Sequence, residues 1–88
     1  MMNKTSDIKE KNTKSLTNLD QGESGKIIEL SSGSEFRKRM TELGFGKGSD
    51  IRMIRRSSSG PLIVEIKGCG RIAIGRGEAS KILVRVGD

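Results

Sequence analysis

Residues 36–48 read Phe-Arg-Lys-Arg-Met-Thr-Glu-Leu-Gly-Phe-Gly-Lys-Gly. Phe36, Met40 and Leu43 fall at i, i+4 and i+7, one face of a helix. Arg37, Lys38 and Arg39 make the rest of that surface basic. Gly44, Gly46 and Gly48 then alternate with Phe45 and Lys47, and no helix continues through such a run. If Gly44 is the first residue past the helix, it takes the left-handed conformation that glycine adopts cheaply. Phe45 and Met40 then occupy the two positions that a Schellman ending brings into apolar contact. The stretch predicts a short basic amphipathic helix, stopped sharply and handed to a strand-rich region.

Downstream of the glycines the chain is strand-like. The segment 50–56 is partly alternating and β-branched. Ser57-Ser58-Ser59-Gly60 is a loop, and Pro61 stands at the start of the next strand, where it is tolerated. Leu62–Ile66 is the strongest strand signal in the chain. Gly68-Cys69-Gly70 is a tight reversal, 71–74 another strand, 78–81 one helical turn, and Ile82–Val86 a closing strand. Upstream, Leu16 and Leu19 lead through glycines into a strand at 26–30. Ser32 with Glu35 makes a capping box for the helix, with Ser34 as a rival cap. Glu35 with Arg39, and Lys38 with Glu42, have the spacing of helical ion pairs. About five short, closely spaced strands and one early helix predict a mainly β domain, a small β-barrel with the helix inserted after the first strand. Residues 1–15 are polar and lack the apolar surface to offset ordering, so they are expected to form a flexible tail. Residues 16–88 are the expected domain.

The inventory excludes most chemistry. The 88 residues contain no His, Trp or Tyr and only two Phe. The one cysteine, Cys69, has no base beside it, and the serines have no partners for a nucleophilic triad, so no enzymatic role is expected. The Gly-x-Gly pairs do not open a helix after a strand, so they read as turns rather than phosphate cradles. Cys69 is the one candidate metal ligand, and nothing near it in sequence completes a site; no cofactor is expected. No apolar run reaches membrane-spanning length and no signal peptide is visible, so a cytoplasmic protein without membrane insertion is expected.

Net charge is +6. Residues 47–88 carry nine bases against four acids, so the excess lies in the C-terminal half. Basicity calls for an anionic partner. Nucleic acid is not the expected one, because the bases are interspersed and the aromatic stacking platforms of single-strand binders are missing. The bland reading of these bases is a solvated barrel surface, and charge alone does not choose between an acidic membrane surface and an acidic protein patch. Leu43 and Phe45 are the expected apolar patch, rimmed by Arg37, Lys38 and Lys47, while Phe36 and Met40 face the core. The other reading of Phe45 is the contact with Met40. Arg55 and Arg56 are candidates to meet acidic groups on the partner.

The order R-K-R-M-x-E-L-G-F-x-K-G (37–48), R-R-S-S-S-G-P-L (55–62), V-E-I-K-G (64–68), I-A-I (72–74) and E-A-S-K-I-L-V (78–84) resembles the FeoA family. These are small cytoplasmic accessory proteins of bacterial ferrous iron uptake. The resemblance runs from about Leu16 to Val86. It implies an SH3-like barrel with a helical insertion, acting by docking on the FeoB permease and its cytoplasmic GTPase domain. The same domain type ends iron-dependent repressors, which leaves a regulatory, metal-binding or nucleic-acid-binding domain as the alternative. The sequence departs from the family where Lys47 replaces a common proline and where Gly75 replaces a common arginine.

Overall fold

The computed structural model describes residues 12–31 and 33–87. Its strands are β1 (Thr13–Ser15), β2 (Ser24–Leu30), β3 (Asp50–Arg55), β4 (Leu62–Ile66), β5 (Gly70–Ile74) and β6 (Ile82–Val86). Helix α1 spans Ser34–Glu42, the short α2 spans Arg76–Ala79, and a 3-10 turn covers Leu16–Asn18. The strands form one antiparallel sheet in the order β1-β6-β2-β3-β4-β5. This is the expected small mainly β fold, but the helix follows the second strand rather than the first, because Thr13–Ser15 form a strand ahead of it. The end strands β1 and β5 are not paired to each other, so hydrogen bonds do not close the sheet into a barrel.

One face of the sheet is apolar because its strands alternate. Leu62, Val64 and Ile66 of β4, and Ile82, Val84 and Val86 of β6, point inward while their neighbours do not. Register shifts at Ile27/Glu29 and Met53/Arg55 mark bulges that bend the strands around a single core. Phe36 and Met40 of α1 join that core, as their spacing predicts.

The helix ends as expected. The Phe45 amide donates to the Met40 carbonyl at 2.8 Å and the Gly44 amide to the Thr41 carbonyl at 3.0 Å. These two bonds define a Schellman ending. Gly44 has φ 107°, the left-handed region where a β-carbon is strained. The beginning differs from expectation. Gly33 is the N-cap and makes no side-chain cap bond, and Ser34 is already helical. Ser32, half of the expected capping box, lies outside the described residues. Neither Glu35 with Arg39 nor Lys38 with Glu42 forms an ion pair among the described residues. Arg39 reaches instead to Glu78, at 3.1 Å.

A sixth strand, β1, extends the count of about five. It corrects the expected boundary at Leu16, because Thr13–Ser15 pair with β6. Asn12, also assigned to the tail, accepts the Val86 amide at 2.7 Å, and residues 1–11 lie outside the described residues. Ser15 accepts the Thr17 amide with its hydroxyl and so starts the 3-10 turn. That turn delivers Leu16 and Leu19, both fully buried, into the core.

Lys14 of β1 donates to the Glu23 carboxylate at 2.9 Å, which also accepts the Asp20 amide at 2.9 Å. The amide bond first, and Lys14 second, hold the Glu23 carboxyl below its ordinary range. A depressed folded pKa stabilises the fold above the unfolded value and loses that stabilisation as pH falls through the folded one. Glu23→Gln is therefore expected to lower the melting temperature at neutral pH. The gap to the unaltered chain should shrink in acid, read from melting curves across a pH series. A gap that is constant with pH would contradict the charge-based origin.

Candidate functional site

Helix α1 leaves one flank against the end of β2, and an open groove of about 730 Å³ lies between them. Arg37, Lys38 and Thr41 line its helix side, Glu29 and Leu30 its strand side, and Lys47 closes it from the loop. The sharp Schellman reversal makes this possible. It turns the chain back at Gly44, so Gly46 and Lys47 pass beside the helix they have just left. The Gly48 amide then donates to the Ile27 carbonyl at 2.7 Å, pinning the loop to β2. Three of the expected partner-binding residues, Arg37, Lys38 and Lys47, thus share one groove, with Glu29 and Glu42 tempering their charge.

Leu43 stands apart from that groove. At about 100° per residue, it lies on the flank of Arg39 and away from Arg37 and Thr41. It is the exposed large hydrophobic side chain among the described residues, 48 % accessible. Beside it, an added β-carbon on Gly44 would lie 3.0 Å from the Cys69 sulfur. The turn between β4 and β5 therefore packs against the end of the helix.

Phe45 is not part of an exposed patch. It is 0 % accessible. The Schellman geometry turns its side chain inward with Met40, so the second of its two readings holds and its expected place on the surface is withdrawn. Arg55 and Arg56 are exposed but belong elsewhere. Five residue steps along β3 at about 3.3 Å place Arg55 about 16 Å from Asp50, at the far end of the strand. The Arg56 guanidinium lies 3.7 Å from the Asp20 carboxylate, and its amide donates to the Gln21 side chain. The Ser57 carbonyl accepts a hydrogen bond from the Arg76 guanidinium. The expected residues thus divide into a groove, an exposed leucine, a core phenylalanine and a distant arginine pair.

Cys69 is exposed on the β4–β5 turn. No group of three or more metal-ligating side chains gathers among the described residues. No helix among them is long and apolar enough to cross a membrane.

One cluster has no counterpart among the residues that sequence patterns single out. The Phe36 ring has the Arg39 guanidinium 6.0 Å and the Lys81 ammonium 5.3 Å from its centre. Arg39 also holds Glu78 of α2, and the Ser31 amide and hydroxyl both donate to the Lys81 carbonyl. These contacts tie α1 to the segment between β5 and β6. Some forty residues of sequence separate the two sides, and no local pattern announces the pairing.

An antiparallel sheet wrapped on one apolar core, with a helix inserted between its second and third strands, defines a small SH3-like domain. A model of the FeoA domain matches residues 14–86. The chain belongs to the FeoA family, a family of small accessory domains associated with ferrous iron transport. A crystallised iron uptake regulatory protein (FeoA) is 27 % identical, with a TM-score of 0.79 over 84 % of this chain and 97 % of that one. The Stenotrophomonas maltophilia FeoA, described as an SH3 domain protein complexed with zinc, is 28 % identical. Its TM-score is 0.65 over 78 % of this chain and 86 % of that one. A manganese-dependent transcriptional repressor is 20 % identical, with a TM-score of 0.75 over 84 % of this chain and 41 % of that one. That last likeness concerns the fold alone. No curated protein matches the chain.

Proposed function

We propose that this chain is a non-enzymatic cytoplasmic accessory protein of ferrous iron uptake that docks on a FeoB-type permease through its GTPase domain. The observation that carries the reading is Leu43. A large apolar side chain held in water at the rigid end of a helix is a ready anchor for a partner's pocket. The groove lined by Arg37, Lys38 and Lys47, on the other flank of the same helix, supplies cations for acidic rim contacts. Arg55 and Arg56, at the distant end of β3, are left as a separate basic corner. Docking of this kind acts by binding two states of the transporter with different affinity, which needs no chemistry in the accessory protein.

Leu43→Asp is expected to weaken capture by the purified GTPase domain by about tenfold or more, the scale of losing one buried anchor. The folded domain should be untouched, since an exposed substitution shifts stability by no more than about 0.5 kcal/mol. Undiminished binding by the variant would remove Leu43 from the interface. Duplex DNA bound in preference to the GTPase domain, with steep loss of affinity in salt, would overturn the transporter reading itself.

A further inference from the structure

The sheet has two ends, and they are built differently. β1 is three residues long, with Lys14 tied to Glu23. A short strand of this kind gives an incoming chain little to pair with. β5 is five residues long and pairs with β4 in unbroken register from Leu62↔Ile74 to Ile66↔Gly70. It contains no proline and no bulge, and among the described residues it pairs on one side only. Arg71 and Ala73 are exposed, and Ile72 packs on the core while remaining half-buried. Ile72 lies at the margin of the core, where the sheet stops.

The charge around this edge has one sign. Residues 66–77 contain Lys67, Arg71 and Arg76 and no acid. The nearest acid in the sheet is Glu65, directly opposite Arg71, and Glu65 is also opposite Arg52 on its other side. None of these three side chains forms an ion pair among the described residues. A row of two arginines around one glutamate keeps a net positive charge, and Lys67 and Arg76 extend it past both ends of the strand.

We infer that the free edge of β5 receives an extended acidic segment of a partner protein as a seventh strand. Backbone hydrogen bonds supply the pairing, as in other strand-addition complexes. Side-chain alternation supplies the selectivity. A β-branched residue opposite Ile72 falls on the core face and completes its burial. The residues on either side of it fall on the outer face, where a carboxylate meets Arg71. The chemistry recognised is thus acid–apolar–acid in an extended chain. A second copy is disfavoured, because each copy brings its own cationic edge and a net charge of +6. The inference stands independently of the transporter reading.

The test uses the full chain, isotope-labelled, and a capped octapeptide of alternating glutamate and valine. Amides of Gly70–Ile74 that face away from β4 should shift on titration. At about ten times the dissociation constant their exchange with solvent should slow about tenfold. Added salt should weaken the binding. A lysine–valine peptide of equal length should leave these amides unmoved. Arg71→Glu should exchange the two preferences, and Arg71→Ala should weaken the glutamate peptide several-fold. Shifts centred outside β5, or equal binding of both peptides by the unaltered chain, would overturn the proposal. So would protection of the same amides that rises with protein concentration before any peptide is added, because a second copy would then occupy the edge.

Discussion

Phe45→Ala should cost about half of the stability of the domain. The side chain is 0 % accessible and heads the largest fully buried residues of the core. Truncating a buried phenylalanine costs about 3–5 kcal/mol, because the apolar contact is lost and the cavity closes only in part. A domain of this size has about 5–10 kcal/mol in total. Relief by relaxation is restricted at this site, since both polar groups of the peptide unit that leads into Phe45 are pinned. Its own amide is bonded to Met40, and the Gly44 carbonyl accepts the Ser49 hydroxyl at 3.0 Å. The check is a denaturant titration read by circular dichroism, with Leu43→Asp as control. Phe45→Ala should move the midpoint to about half of its original denaturant concentration while the control stays in place. A loss below about 1 kcal/mol, the ordinary effect of an average substitution, would mean that Phe45 is not a core residue.

Gly25→Ala should be nearly as damaging, and for a reason that composition would get backwards. Glycine inside a strand weakens it, and replacement by alanine usually stabilises by about 0.4–1 kcal/mol through the unfolded chain. Here sterics outweigh entropy. A β-carbon on Gly25 would stand 2.5 Å from the Arg85 carbonyl oxygen and 2.5 Å from a Val84 methyl. The oxygen is backbone, so no rotamer change can clear it. β2 lies between β6 and β3, and Gly25 pairs with Val86 on one side and Ile51 on the other. Moving β2 away from β6 therefore strains both ladders. The expected loss is about 3 kcal/mol, at the upper end of overpacking costs. Hydrogen exchange provides the sharper reading: amides of β6 and β1 should open first, ahead of those in β4. An unchanged midpoint, or uniform loss of protection across the sheet, would contradict a clash localised at the β2–β6 seam.

The sequence was most informative where local chemistry decides the backbone. Gly44 followed by Phe45, four residues after Met40, specified the helix ending down to its two hydrogen bonds. Alternation located β3 to β6 to within a residue or so. β1 escaped notice because Thr-Lys-Ser carries no apolar signal of its own. Its place in the sheet comes from Leu16 and Leu19, which anchor the adjoining turn in the core and carry Thr13–Ser15 alongside β6. Gly33 as cap was hidden by the better-looking serines on either side of it. The grouping of candidate residues was the least legible part. Arg37, Lys38 and Lys47 are neighbours because the Schellman turn folds the chain back on the helix, a local event. Arg56 meets Asp20, and Gly44 meets Cys69, only through sheet topology, which pairs segments that no periodicity links. Phe45 carried two readings in sequence, and burial decided between them.

The position of β6 has a consequence for how the protein is made. It is the last of the described strands in sequence, yet it sits between β1 and β2, and the Val86 amide closes on the Asn12 carbonyl at 2.7 Å. During translation, β1 and β2 emerge early with no neighbour between them. The sheet cannot seal until Ile82–Val86 has cleared the ribosome. Pairings this distant in sequence are slow to form, and the edges awaiting them are open to wrong partners. Folding of this domain is accordingly expected to be completed only after β6 has emerged rather than to progress strand by strand, and the nascent domain has the most need of a chaperone just before that strand appears.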